Sequence, residues 1–136
     1  MRYKNILQID DDYDDCDFFL EALEEVSASV FYTAIHNPVD ALQKLASNEI
    51  QPDVIFLDIN MPVMNGMELL IEMNKRELIK GIPIIILSTS IPSEFANKLE
   101  DLGVSGYYIK PNDFGSMKTI LQNCLGFHVN LINSFQ

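Results

Sequence analysis

Five short runs of apolar and β-branched residues alternate with segments of helical period along the chain. The runs predict strands at residues 4–9, 30–35, 54–57, 83–88 and 106–109. The third and fourth runs are continuously apolar, which is typical of strands that are buried on both faces of a sheet. Strands that alternate with helices predict βαβ units, so the sheet is expected to be parallel.

Between the runs, apolar side chains recur at steps of three and four residues, as they do on the inward faces of amphipathic helices. The second helix is predicted to begin at Asn37, as the cap, followed by Pro38. Asn65 precedes the third helix, and Gly103 lies just past the end of the fourth. The fifth helix is predicted to begin near Asn112 or Asp113. The inward-facing residues are predicted to be Cys16, Phe19, Leu20, Leu23 and Val26, then Met67, Leu70, Ile71 and Asn74, then Phe95, Leu99 and Leu102, and finally Phe114, Met117, Ile120, Leu121 and Cys124.

The fold class that follows is α/β, with a doubly wound, five-stranded parallel sheet covered by helices on both faces. A chain of 136 residues is long enough for one hydrophobic core and too short for two ordinary domains. In open sheets of this class, ligands bind beyond the carboxyl ends of the strands, where the strand order reverses. The residues that follow each strand are therefore the candidate site.

Polar side chains that suit phosphoryl chemistry follow four of the five predicted strands. The first strand is followed by Asp10, Asp11 and Asp12, and the third by Asp58 and then Asn60; Ser88 and Thr89 end the fourth, and Lys110 and Pro111 end the fifth. Carboxylates brought into one pocket repel one another strongly unless a cation lies between them. All-oxygen coordination of this kind is what magnesium prefers.

Composition excludes several other classes of function. Twenty acidic residues against nine basic ones give a net charge of −11, which disfavours nucleic acid and favours cations or basic protein surfaces. No apolar stretch is long enough to span a bilayer, and the first residues do not resemble a signal peptide, so we expect no membrane contact and a cytoplasmic location. Cys16 and Cys124 lack the spacing of a zinc site or a disulfide framework.

Four motifs in this order and spacing resemble the response-regulator receiver domains, in particular the chemotaxis-type single-domain receivers. They are Ile-Leu-Gln-Ile-Asp-Asp-Asp at 6–12, Leu-Asp-Ile-Asn-Met-Pro-Val-Met-Asn-Gly at 57–66, Ile-Ile-Leu-Ser-Thr-Ser at 85–90 and Gly-Tyr-Tyr-Ile-Lys-Pro at 106–111. The resemblance implies a flavodoxin-like (βα)5 fold with strand order 2-1-3-4-5. It also implies a receiver domain over residues 1–125, with a tail at 126–136 and no separate output domain.

The resemblance assigns roles to the residues at the strand ends. Asp58 would be the phosphoacceptor, assisted by Lys110 and Ser88. A Mg2+ or Mn2+ ion would be bound by Asp11, Asp58 and the backbone carbonyl of Asn60, with Asp10 acting directly or through water. Ser88 and Tyr107 would form the switch that changes the surface of helix 4, strand 5 and helix 5, and the peptide bond between Lys110 and Pro111 would be cis.

The partners implied are a histidine kinase or phosphotransfer protein, an unknown downstream protein and possibly a second copy of the chain. The protein would not be an enzyme beyond its own phosphorylation and slow dephosphorylation.

Other readings of the same residues stay open at this point. Asp10–Asp12 could cap a helix, and Lys110 and Ser88 could be ordinary surface or strand-end residues. A flavodoxin-like electron carrier is disfavoured because three aspartates would repel a phosphate after strand one, and a haloacid-dehalogenase-type phosphatase because Asn60 cannot titrate. The closest rival is a pseudo-receiver that binds proteins without being phosphorylated. Gln8, an amide within a buried strand, has no evident partner in the sequence.

Overall fold

The computed structural model describes residues 3–126, which form a five-stranded parallel sheet in the order β2-β1-β3-β4-β5. The strands are β1 (Asn5–Ile9), β2 (Phe31–Ile35), β3 (Val54–Leu57), β4 (Ile84–Ser88) and β5 (Val104–Ile109). Every predicted strand is present, and its ends lie within two residues of the predicted ones. All residues of β3 and β4 are buried, as their uninterrupted apolar runs indicate. The predicted fold class and strand order are confirmed.

Helices connect the strands and cover both faces of the sheet. They are α1 (Tyr13–Val26), α2 (Pro38–Ala46), α3 (Gly66–Lys75), the single turn α4 (Ser93–Ala96) with a 3-10 turn at Glu100–Leu102, and α5 (Phe114–Leu125). The predicted cap at Asn37 is confirmed, because its side chain accepts hydrogen bonds from the backbone N–H groups of Val39 and Asp40. Asn65 likewise caps α3, and Asp113 caps α5.

The core lies in two layers, one on each face of the sheet. Helices α2 and α3 pack with alternate strand residues such as Leu7, Ile55 and Ile86. Helices α1 and α5 pack on the opposite face with Ile6, Phe56 and Leu87. Successive residues of one strand therefore point to opposite faces of the sheet. In β5, Tyr107 lies on the face that α2 and α3 cover, and Tyr108 lies on the face that α1 and α5 cover.

The predicted inward face is wrong in part for α3, and the predicted length is wrong for the fourth helix. In α3, Ile71 and Asn74 are exposed, and Leu69 and Met73 are buried with Met67 and Leu70, because the helix is rotated from the predicted stripe. The fourth helix is one turn rather than the predicted longer helix. Pro92 begins it without a side-chain cap, and Gly103 ends the segment in the left-handed region at φ 85°.

Gln8 has a partner that the sequence does not reveal. Its side chain is 2% exposed on the face that α1 and α5 cover, and its Oε1 accepts a hydrogen bond of 2.6 Å from the hydroxyl of Tyr32 in β2. The hydroxyl also approaches the backbone carbonyl of Cys16 at 3.4 Å. A buried amide is tolerated where such a donor is supplied.

Candidate functional site

Two acids emerge from adjacent strands at the carboxyl edge of the sheet. Asp10 follows β1 and Asp58 follows β3, and these strands are paired in register from Ile6 with Val54 onward. Backbone hydrogen bonds fix both positions, since the N–H of Asp10 donates to Ile35 and the N–H of Asp58 donates to Ile9. Both side chains are buried, with residue exposures of 0% and 4%. The strand order thus brings these acids together, as predicted.

Carboxylate oxygens of Asp10, Asp11 and Asp58 lie within 4.8 Å of one another. Burial raises the pKa of Asp10 to about 6 and also raises the pKa of Asp58. Among the described residues, the buried Oδ2 of Asp10 lacks an aligned hydrogen-bond donor. A buried cluster of carboxylate oxygens fits a divalent cation with oxygen ligands.

Lys110 directs its ammonium group into this cluster from the end of β5. Its Nζ lies 2.7 Å from Oδ2 of Asp10, 2.6 Å from Oδ2 of Asp15 and 3.9 Å from Oδ2 of Asp58. The side chain is only 10% exposed. Burial alone would lower the pKa of Lys110, but its short contacts with the carboxylates of Asp10 and Asp15 outweigh burial and raise that pKa. The lysine is therefore a permanent cation at this site.

Asp15 is a site residue that sequence reasoning missed. It lies in the first turn of α1, and its carboxylate accepts the hydrogen bond from Lys110. The backbone N–H of Asp15 donates to the side chain of Asp12, which caps the helix. The only signal in the sequence is the density of acids between positions 10 and 15. Spacing alone does not distinguish Asp15 from Asp14, because the choice depends on how α1 is rotated about its axis.

The hydroxyl of Ser88 contacts Asp58 directly. Ser88 is fully buried, and its Oγ donates to Oδ1 of Asp58 at 2.7 Å. The amide nitrogen of Asn60 donates to that same Oγ at 3.0 Å and also reaches Thr89 and Ser90. The side chain of Asn60 thereby connects the segment after β3 to the segment after β4.

Tyr107 is half-buried against the core layer formed with α2 and α3. The expected cis bond between Lys110 and Pro111 is wrong for this structure, because no cis peptide bond occurs within residues 3–126. Lys110 still reaches the site with a trans bond, because its backbone N–H donates to the carbonyl of Ser88 at 2.9 Å. This hydrogen bond aligns Lys110 with the end of β4.

The loop between β3 and α3 passes over the backbone of Asp58. A Cβ at Gly66 would lie 2.2 Å from the backbone oxygen of Asp58, and the N–H of Gly66 donates to Ile59 at 2.8 Å. Gly66 is therefore required for close approach and not for a positive φ. The strained residue of this loop is Val63, which is 96% exposed and has φ 69°.

His36 and Cys16 lie behind the site, beneath the backbone of Asp10. The Nδ1 of His36 is 3.0 Å from the Asp10 carbonyl, and its ring stacks on Tyr13 with centroids 3.7 Å apart. Cys16 is buried with its Sγ 3.8 Å from that carbonyl. The burial of Cys16 agrees with its predicted place on the inward face of α1.

Known proteins share both the fold and the sequence pattern. The phosphorylated cyanobacterial phytochrome response regulator RcpA is similar with a TM-score of 0.81 and 28% identity, over 93% of this chain and 97% of that one. The Mn2+-bound form of the response regulator Rcp1 has a TM-score of 0.78 and 25% identity, over 88% of this chain and 92% of that one. The regulatory protein AtoC of Escherichia coli is 32% identical over 108 residues, which are 79% of this chain.

A parallel sheet with acids, a hydroxyl and a lysine at its carboxyl edge defines the class of protein as a doubly wound α/β domain with a polar site at the strand ends. Residues 6–122 match the family model described as the response regulator receiver domain. The chain belongs to the response regulator receiver domain family, whose members are signalling switches of two-component systems. It spans 21% of the length of AtoC and 33% and 19% of two other curated relatives, so it corresponds to a part of those proteins.

Receiver domains bind a divalent metal, and the acid cluster of this chain has the composition that such an ion requires. Within residues 3–126, no helix has the length and apolar character needed to cross a membrane. The tail predicted at 126–136 lies, apart from Gly126, outside the described residues.

Proposed function

We propose that this domain accepts a phosphoryl group on Asp58 from a histidine kinase or a phosphotransfer protein. The observation that carries the proposal is the environment of the Asp58 carboxylate. Oδ1 accepts a hydrogen bond from Ser88, Oδ2 faces Lys110, and two further carboxylates lie beside it. A buried acid surrounded by a donor, a cation and a metal-type cluster is suited to phosphoryl transfer.

In the transfer, a carboxylate oxygen of Asp58 attacks the phosphorus atom and forms an acyl phosphate. The bond from phosphorus to the imidazole nitrogen of a phosphohistidine breaks, and the imidazole leaves with the electron pair. Lys110 compensates negative charge on the phosphoryl oxygens, and Ser88 exchanges its hydrogen bond to the carboxylate for one to a phosphoryl oxygen. The residues that would hold Mg2+ or Mn2+ are Asp11, Asp58 and the backbone carbonyl of Asn60, with Asp10 bound directly or through water. Such an ion, when bound, offsets charge on the transferred group.

The output of the switch would be a changed surface around α4, β5 and α5. Ser88 already donates to Asp58 before phosphorylation, so its displacement on phosphorylation is a short one toward the new oxygens. Asn60 is bonded to Ser88, Thr89 and Ser90, so this displacement reaches the segment that leads into α4. Tyr107 in the neighbouring strand β5 would then repack, and a downstream protein or a second copy of the chain would bind the altered face. Such a switch acts in the cytoplasm.

The test is phosphorylation by acetyl phosphate with magnesium, followed by intact mass measurement. Wild-type protein is expected to gain one phosphoryl group, and Asp58→Asn none. If wild type gains nothing, or the variant gains as much, Asp58 is not the phosphoacceptor and a phosphorylation-independent receiver is favoured. Magnesium affinity is measured separately in Asp11→Ala. A loss of at least about tenfold is expected when one carboxylate ligand is removed, and an unchanged affinity would contradict the metal assignment.

A further inference from the structure

Lys110 makes its best contact with an acid that lies outside the metal-type cluster. The hydrogen bond from its Nζ to Asp15 is 2.6 Å long, whereas the equally short approach to Asp10 lacks hydrogen-bond alignment within the described part of the chain. Asp58, the residue that the lysine is proposed to serve, is 3.9 Å away. The ammonium group thus lies between Asp10 and Asp15, and it is farther from Asp58.

We infer that Asp15 is a positioning residue, which holds Lys110 away from Asp58 and compensates its charge until a phosphoryl group competes for it. The inference rests on the proposed phosphoacceptor role of Asp58. Asp15 itself would touch neither the metal nor the phosphoryl group, and would act through the lysine.

The geometry around the lysine supports this role. Lys110 lines a small cavity of about 20 Å3 together with Gln8, Asp15, Phe18, Leu87, Pro111 and Met117. The lining includes residues of both α1 and α5, so Lys110 lies close to the helix that carries Asp15. At 10% exposure, the ammonium group gains little from water, and its direction is set by the acids that it contacts.

Charge distinguishes Asp15 from the other acids near Lys110. The group of carboxylates close enough to share a cation consists of Asp10, Asp11 and Asp58, and it does not include Asp15. An ion bound there would compensate those three acids and leave Asp15 as the uncompensated partner of the lysine. A lysine paired with Asp15 stabilises phosphoryl oxygens less than a lysine that is free to bind them. Asp15 therefore favours the unphosphorylated state.

The experiment compares Asp15→Asn with Asp14→Asn. Both acids lie in the first turn of α1, and each substitution removes one negative charge without changing the size of the side chain; Asp14 is exposed. The initial rate of phosphorylation by acetyl phosphate with magnesium is expected to be about fivefold higher in Asp15→Asn than in Asp14→Asn, the factor for losing a partly exposed ion pair. Equal rates, or a slower Asp15→Asn, would overturn the inference.

A second measurement does not depend on phosphorylation. Trace labelling with acetic anhydride, followed by proteolysis and mass spectrometry, reports how readily the Lys110 amine reacts. Labelling of Lys110 is expected to increase several-fold in Asp15→Asn and to stay at the wild-type level in Asp14→Asn. Unchanged labelling in Asp15→Asn would show that Asp15 does not hold the lysine. If wild type accepts no phosphoryl group, the proposed function falls, and the labelling result alone decides whether this contact exists.

Discussion

Replacing Gly66 with alanine should destabilise the domain and displace the residue proposed to carry the phosphoryl group. The new Cβ would lie 2.2 Å from the backbone oxygen of Asp58, 2.8 Å from the Cα of Ile59 and 3.0 Å from the carbonyl carbon of Asp58. All three atoms belong to the backbone, so no side chain can rotate away. The chain must open by about 0.8 Å to reach even the shortest contacts that occur in proteins.

Overpacking of this kind costs about 1–3 kcal/mol, and backbone contacts place Gly66→Ala at the upper end of that range. The intrinsic helix preference of alanine over glycine offsets up to about 1 kcal/mol. We therefore expect a net loss of about 2 kcal/mol in the free energy of unfolding, measured by urea denaturation, together with slower phosphorylation.

Gly115→Ala is the matched control. Gly115 lies in the first turn of α5, and a Cβ there meets only the carboxylate of Asp113, at the ordinary contact distance of 3.5 Å. The same substitution should leave stability unchanged or raise it slightly. If Gly66→Ala is as stable as Gly115→Ala, the close approach to Asp58 is not what requires glycine.

Three further predictions concern stability. Val63→Asn should raise the urea midpoint by an amount equivalent to about 1 kcal/mol, because asparagine tolerates the φ of 69° better than a β-branched residue does; a lower midpoint would argue against strain in this loop. Tyr32→Phe should cost about 1–3 kcal/mol because it leaves the buried Oε1 of Gln8 without its donor. The double variant with Gln8→Met should recover much of that loss, and additive losses would refute the pairing. The third prediction concerns chelator-treated protein, in which burial raises the pKa of Asp10 to about 6. Below the pKa of the unfolded chain, near 3.8, Asp10 is neutral in both the folded and the unfolded state. As the pH rises from there through 6, ionisation of Asp10 increasingly opposes folding. Asp10→Asn should therefore be more stable than wild type by about 1–3 kcal/mol at pH 7, with the difference shrinking toward pH 4, and a difference independent of pH would contradict this explanation.

The sheet was predictable because burial on both faces leaves a continuous apolar run in the sequence. Val54–Leu57 and the isoleucines of β4 carry that signal, and the residues after each strand then mark the site edge. The proximity of Asp10, Asp58, Ser88 and Lys110 follows from parallel strands whose ends meet at one edge.

Features that depend on helix rotation and helix length were harder to predict. The face of α3 was misassigned at Ile71 because apolar residues occur on both sides of that helix, and only packing selects between them. Asp15 was missed for the same reason, since the rotation of α1 decides which acid reaches Lys110. The α4 segment contains helical spacing at Phe95, Leu99 and Leu102, but spacing does not reveal that no residue of its single turn is buried.

The short α4 should open locally more often than the rest of the domain. A helix turn with neither a side-chain cap nor a buried residue opens at little cost, whereas β3 and β4 lie at the centre of the sheet with every residue buried. Amide hydrogens of Ser93–Ala96 should therefore exchange with solvent through small local openings, while those of Val54–Leu57 exchange only when the whole domain unfolds. A partner that binds at α4 would order this segment. Its binding would therefore be detected first as slower amide hydrogen exchange at Ser93–Ala96.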